Sequence, residues 1–209
     1  MQAMFARAIL FDGHLLRWDV SSVADMSAMF QGAAAFNGDI SNWDVSSVID
    51  VKMMFQDAKN FDRDLSAWAV SKVASINAIF SGATLFNGDI SSWEVCGVQA
   101  MHGMFGAARA FNNDISKWNV SSVTNMDEML NGASSFDQDL TSWCVLNISS
   151  PPYNFAPSLD TTKHPNWGTC NDYYVNARGC VVCDSLNIGD HFVLNGDSMI
   201  VVDRPMLDS

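Results

Sequence analysis

The stretch that decides the fold is residues 40–64, which read ISNWDVSSVIDVKMMFQDAKNFDRD and return in modified form every 25 residues. A fixed period of roughly 20–50 residues is the signature of a repeat protein, in which each unit buries its apolar face against its neighbours. Three aromatic columns share the period: Trp18, Trp43, Trp68, Trp93, Trp118 and Trp143; Phe11, Phe36, Phe61, Phe86, Phe111 and Phe136; and Phe5, Phe30, Phe55, Phe80 and Phe105, which Leu130 continues.

Each unit contains two different apolar spacings. In the first half, Ile40, Trp43 and Val45 have the L-x-x-L-x-L spacing of a leucine-rich repeat, which predicts a short strand. In the second half, as in residues 23–33, apolar residues lie three or four positions apart, which predicts a helix, and Gly32 lies where such a helix would end. The pattern therefore predicts an α/β solenoid of strand–turn–helix units whose strands form a parallel sheet, with the aromatic columns as continuous internal stacks.

The period also divides the chain into parts. Pro151-Pro152 interrupts it, so we expect the following segment to be a C-terminal cap that closes the core. Strand-like runs at 190–194 and 199–202 flank Asn195-Gly196, which predicts a small β-hairpin. The first residues finish an earlier unit, which suggests that the sequence is a fragment. The predicted organisation is a repeat solenoid over 1–139 (a partial unit over 1–14 and five full units over 15–139), a cap over 140–170 and a β-rich, truncated tail over 171–209.

The five cysteines predict at least one disulfide. Cys144 and Cys170 flank the predicted cap, and a bond between them would close a loop of about 27 residues and stabilise the fold by roughly 3 kcal/mol. Cys180 and Cys183 form a C-x-x-C, for which a structural disulfide, half of a metal site and a redox pair are the alternatives; the strand-like surroundings favour the disulfide. Cys96 is expected to be a half-buried free thiol rather than a nucleophile. Disulfides indicate an oxidising compartment.

The charge balance excludes some classes of partner. Lys and Arg number 11 against 23 Asp and Glu, which gives a formal charge of -12. A surface this acidic repels phosphate backbones and anionic lipids, so we expect no nucleic-acid partner. No apolar run approaches the roughly 20 residues of a membrane-spanning helix, so no membrane insertion is predicted for this sequence.

Acidic and amide side chains recur in two columns before the predicted strands: Asp39, Asp64, Asp89, Asp114 and Asp139, and two positions earlier Asn37, Asp62, Asn87, Asn112 and Asp137. Two interpretations stay open. The side chains accept hydrogen bonds from main-chain N–H groups of turns, or they hold Ca²⁺ between units through hard oxygen ligands. The pairs Asp62/Asp64 and Asp137/Asp139 are the best places for such an ion. Calcium is the one cofactor that the sequence leaves open.

One row of outward-pointing positions forms the predicted concave face. Solenoids usually bind partners on that face, although a merely solvated face is the alternative. The candidate binding residues are Arg17, Asp19, Asp44, Glu94, Lys117 and Asn119, interspersed with Asn42, Ala67, Ala69 and Ser92.

Two phrases, Phe36-Asn37-Gly38-Asp39-Ile40-Ser41-Asn42-Trp43-Asp44-Val45-Ser46-Ser47-Val48 and Ser121-Ser122-Val123-Thr124-Asn125-Met126, resemble the BspA-type leucine-rich-repeat surface proteins, which include mycoplasma lipoproteins. The resemblance covers residues 1 to about 170. It implies a secreted or cell-surface location, a protein or cell-surface ligand, and no enzyme activity or catalytic residue. The leading hypothesis is therefore a non-enzymatic module for adhesion or protein–protein interaction. The alternatives are a structural extracellular coat array stabilised by calcium at the Asp columns, and a redox enzyme that uses Cys180 and Cys183.

Overall fold

The computed structural model describes residues 1–170 and four short strands of the tail. Each 25-residue unit forms one coil of the chain, and equivalent residues of successive coils lie side by side in the same direction. Isolated parallel bridges mark this arrangement between Asp25 and Asp50 and along Ser75, Ala100 and Asn125. We call residues 1–148 the coil stack.

Within the coil stack the chain forms turns instead of helices or strands. In residues 1–170 the one regular element is a 3-10 helix, Thr161–Lys163. The predicted α/β solenoid of strand–turn–helix units with a parallel sheet is therefore wrong, and the leucine-rich-repeat architecture is wrong with it.

Consecutive β-turns explain why the second half of each unit has helical spacing. Met29 N–H donates to the Met26 carbonyl at 3.1 Å, and Ala33 N–H donates to the Phe30 carbonyl at 3.0 Å. Each bond closes a turn that advances the chain by three residues, so apolar residues three or four positions apart point inward as they would on a helix. Gly32, with a φ of 69°, is the third residue of the second turn, where a type II turn needs the left-handed conformation. It marks a turn and not a helix end.

The half of the unit that was expected to be a strand is also turned. Trp43 N–H donates to the Ile40 carbonyl at 3.1 Å, and Val48 N–H donates to the Val45 carbonyl at 2.9 Å. The apolar residues of this half still point into the core, because the two turns bring Ile40, Trp43 and Val45 to its inner side, where they are buried.

Three main-chain hydrogen bonds recur between neighbouring coils, and we call them the three-bond ladder. Each joins an N–H group to the carbonyl 24 residues later, as in the bonds from Ala28, Phe30 and Gly32 to Lys52, Met54 and Gln56 at 2.8, 2.9 and 2.7 Å. In a trans peptide unit the N–H and C=O groups point in opposite directions. The ladder peptides therefore direct their N–H groups toward the following coil and their carbonyls toward the preceding one.

Aromatic rings fill the core as continuous stacks, which confirms that prediction. The ring centroids of Phe30 and Phe55 lie 5.6 Å apart with planes 7° from parallel, and those of Trp43 and Trp68 lie 6.4 Å apart with planes at 6°. Each buried indole also reaches back to the preceding coil: Trp93 Nε1–H, for example, donates to the Leu65 carbonyl at 2.9 Å. The repeat thus satisfies the one polar atom of each buried tryptophan.

The segment after the coil stack covers its C-terminal end. Glu128 N–H donates to the Tyr153 carbonyl at 2.8 Å, and Leu130 N–H donates to the Phe155 carbonyl at 2.7 Å, so two ladder donors of the last coil are paired. The Phe155 ring meets the Trp167 indole edge-on at a centroid distance of 5.0 Å. Apolar side chains of residues 151–170 therefore extend the core past the last coil.

The described part of the tail consists of two antiparallel strand pairs. Strand β1 (Tyr173–Val175) pairs with β2 (Val181–Cys183), and β3 (His191–Leu194) pairs with β4 (Asp197–Ile200). The second pair lies at the runs for which a hairpin was expected, while its turn, Asn195-Gly196, lies outside the described residues. In the part of the chain that the structure describes, no helix has the length and apolar character needed to cross a bilayer.

Candidate binding surface

The candidate binding residues lie along one side of the coil stack at equivalent positions of successive coils. Most of them are exposed, and Asn119 is half-buried. Because the coils carry turns here and no sheet, this side is not the concave face of a sheet that the sequence predicted. We call it the binding strip: Arg17, Asp19, Asn42, Asp44, Ala67, Ala69, Ser92, Glu94, Lys117 and Asn119.

Short turns hold the acidic side chains of the binding strip in place. Asp19 Oδ1 accepts hydrogen bonds from the Ser21 hydroxyl at 2.6 Å and the Ser21 N–H at 3.0 Å. Asp44 Oδ1 accepts a bond from the Ser46 N–H at 3.0 Å. These hydroxyl and amide donors lower the pKa of both carboxyl groups, so both are ionised at neutral pH. The strip therefore presents two fixed negative charges on neighbouring coils.

A cleft of about 240 Å³ opens between the third and fourth coils of the binding strip. Ala69 lines it at the position where the two preceding coils carry Asp19 and Asp44, so the smaller side chain leaves the space. The other lining residues are Trp68, Ser71, Ser92 and Glu94. Because pockets for drug-sized molecules span about 300–1,000 Å³, this cleft fits a single side chain of a partner better than a separate small molecule.

The two columns of acidic and amide residues serve the main chain. In the first column each Oδ1 accepts the N–H two residues later, as Asp64 does from Ser66 at 2.8 Å. In the second column each Oδ1 accepts the N–H of the equivalent residue in the next coil, as Asp62 does from Asn87 at 2.8 Å. The same bonds occur at Asp39, Asp89, Asp114 and Asp139 and at Asn37, Asn87 and Asn112.

These contacts favour the turn interpretation of the columns over the calcium interpretation. Asp137 is paired with the Lys163 ammonium group at 2.5 Å, which places a cation from the protein itself beside the Asp137/Asp139 pair. Among the described residues no group of three or more His, Cys, Asp or Glu side chains is arranged to hold a metal ion.

One set of polar residues was missed by the sequence analysis. Arg63 Nε donates to the Asn37 carbonyl at 2.7 Å, Asn113 Nδ2 to the Asn87 carbonyl at 2.8 Å, and Lys163 Nζ to the Asp137 carbonyl at 3.0 Å. Each reaches back to the preceding coil from the same repeat position. The available signal was that this position carries either glycine or a long polar side chain along the whole repeat.

The structure contains the predicted disulfide between Cys144 and Cys170, whose Cα atoms lie 4.2 Å apart. The prediction that Cys96 is a free thiol is wrong, because Cys96 is disulfide-bonded. Cys180 and the side chain of Cys183 lie outside the described residues, so the pairing expected for the C-x-x-C stays a prediction.

Stacked 25-residue coils with shared aromatic columns and a recurring ladder define a tandem-repeat protein whose units fold against one another. The chain belongs to the family described as "Mycoplasma protein of unknown function, DUF285", whose family model matches residues 1–83 and 63–167. No curated protein and no solved structure matches the chain.

Proposed function

We propose that this protein is a non-enzymatic surface or secreted module that binds protein partners or cell-surface ligands along the binding strip. The observation that carries the proposal is the strip itself, in which fixed charges recur in register over successive coils beside a cleft sized for one side chain. A repeat scaffold presents such a row over several coils at once, so many weak contacts add up in one interface.

Two further observations support the location and the class of ligand. The Cys144–Cys170 disulfide is typical of proteins that work in an oxidising compartment, such as the cell exterior. The resemblance of the repeat phrases to BspA-type surface proteins supports adhesion or protein binding. Arg17 and Lys117 add positive charges to a strip that also holds carboxylates, so a partner with mixed charges fits it better than a polyanion.

The test is a binding screen of the disulfide-intact protein against arrayed extracellular proteins and glycans, followed by charge-removing variants. Asp19→Asn and Asp44→Asn keep the acceptor oxygen that each turn needs and remove only the charge. Asp62→Asn is the matched control, because Asn37 already makes the same ladder bond in the same column with an amide oxygen.

We expect at least one ligand whose affinity falls at least tenfold in the Asp19→Asn/Asp44→Asn double variant and stays unchanged in Asp62→Asn. Equal losses in the strip and control variants would contradict the proposal, because binding would then follow net charge alone. The absence of any ligand across both arrays would contradict it as well.

A further inference from the structure

The exposed end of the first coil differs from every other coil surface. Met4 is 54 % exposed, whereas the residues at its position in later coils, such as Met29 and Met54, are fully buried. Trp18 is 36 % exposed, against 3 % for Trp43. Phe5 is half-buried because its ring stacks on Phe30 on one side only. We call this surface the first-coil face.

The first-coil face carries unpaired main-chain groups of one kind. In the second coil the carbonyls of Ser27, Met29 and Gln31 accept the ladder N–H groups of the first coil at 2.9, 2.8 and 2.6 Å. The equivalent carbonyls of the first coil belong to Gln2, Met4 and Ala6, and within the described residues no donor meets them. The face therefore presents a row of three acceptors beside apolar side chains.

The face also lacks two contacts that later coils make with their predecessor. Leu10 N–H has no acceptor among the described residues, whereas the equivalent Ala35 N–H donates to the Ile9 carbonyl at 3.0 Å. The Trp18 indole N–H likewise has no preceding carbonyl, whereas Trp43 Nε1–H donates to the Leu15 carbonyl at 3.0 Å. An unpaired edge of this kind is a template for another chain.

The polarity of the face restricts its occupant. Two copies of this chain meeting through their first-coil faces would bring mostly carbonyls against carbonyls, because each face offers three ladder acceptors and one ladder-side donor. The opposite, N–H-presenting side of the last coil is already occupied by Tyr153 and Phe155. A second copy therefore cannot complete the ladder.

We infer that the first-coil face docks a coil-forming segment of another polypeptide, whose N–H groups at alternate residues meet the carbonyls of Gln2, Met4 and Ala6. The inference follows from continuity with the interface that joins every pair of neighbouring coils, and it is independent of the binding strip. A flat aromatic side chain of the partner stacks on Phe5, and a main-chain carbonyl of the partner accepts from the Trp18 indole.

The test uses Trp18 as a reporter and a synthetic peptide as the probe. The peptide has the sequence of residues 26–50 with Trp43→Phe, so that it contributes no indole fluorescence. The control peptide is identical except that the main-chain nitrogens of Ala28, Phe30 and Gly32 are methylated, which removes the three ladder donors. The signal of Trp18 is the difference in acrylamide quenching between the full-length protein and its Trp18→Phe variant.

We expect the first peptide to shield Trp18, so that its quenching constant falls toward that of the buried tryptophans, and the methylated peptide to leave it unchanged. Equal shielding by both peptides would overturn the inference, because docking would then not use the ladder. Lack of shielding by either peptide up to its solubility would overturn it too. So would concentration-dependent shielding of Trp18 in the protein alone, since that would show that a second copy occupies the face.

Discussion

Replacing Trp93 by phenylalanine separates the contribution of the repeat contacts from that of residue type. Trp93 is 3 % exposed, its indole lies 6.4 Å from that of Trp118, and its Nε1–H donates to the Leu65 carbonyl at 2.9 Å. Trp93→Phe keeps an aromatic ring in the column but removes the donor. It therefore leaves a buried carbonyl unpaired and a void where the larger ring lay.

The magnitude follows from those two losses. A buried carbonyl that loses its donor costs about 1–3 kcal/mol, and the void adds about 24 cal/mol for each Å³ that does not collapse. We expect Trp93→Phe to lower the free energy of unfolding by about 2–4 kcal/mol. Trp18→Phe is the matched control at the same repeat position. Because Trp18 is exposed and its indole N–H meets no carbonyl in the described residues, that change should cost less than about 1 kcal/mol.

The assay is equilibrium unfolding in urea, followed by the fluorescence of the remaining tryptophans and by size-exclusion chromatography. The slope of free energy against urea must match between the variants, because repeat arrays can lose two-state behaviour. Equal destabilisation by the two substitutions would refute the reasoning, since it would show that the buried indole bond and the continuous column contribute nothing specific.

Four further outcomes follow from the described contacts. Gly88→Ala should lower the melting temperature strongly, because a Cβ there would collide with a main-chain carbonyl of the preceding coil, whereas Gly103→Ala, with open space around its Cβ, should change it little. Hydrogen bonds from Ser66 lower the pKa of Asp64, so this carboxylate stabilises the fold above the ordinary pKa of about 4 and the contribution is lost as the pH falls through the lowered value; Asp64→Asn should melt like the wild type at pH 7 and show less acid destabilisation. Cys170→Ser should cost about 3 kcal/mol in urea unfolding under non-reducing conditions. Removing divalent cations with a chelator should leave the melting temperature unchanged, because the described carboxylates bond to turn and ladder N–H groups.

The long-range organisation could be predicted from the sequence because it depends on a period. Any stacking of 25-residue units brings Phe30 beside Phe55 and Trp43 beside Trp68, whatever the local conformation of the chain. The column prediction therefore held when the secondary structure did not. The Cys144–Cys170 disulfide could be predicted for a similar reason, since one bond across a single period is compatible with almost any coil.

The local conformation could not be predicted, because helices and successive β-turns place apolar residues at the same spacing. The feature that distinguishes them is a positive φ at alternate turn positions. Gly32 suggests it, but Ala28 and Met53 adopt it with φ values of 53° and 56° and carry no sequence signal. For these residues the inter-coil ladder outweighs the cost of about 1–2 kcal/mol for the left-handed conformation. Tertiary bonding thus overrides local preference.

The same ladder explains why an acidic protein can stack its carboxylates without a metal ion between them. Asp62 lies between Asn37 and Asn87 in its column, and it accepts an N–H from one neighbouring coil while its own N–H donates to the other. Amide neighbours and main-chain dipoles therefore surround the charge, which reduces the repulsion along the column. The carboxylates of the columns are engaged in holding one coil to the next or in closing a turn. Recognition is then left to two surfaces whose groups the stack does not use up, namely the binding strip and the first-coil face.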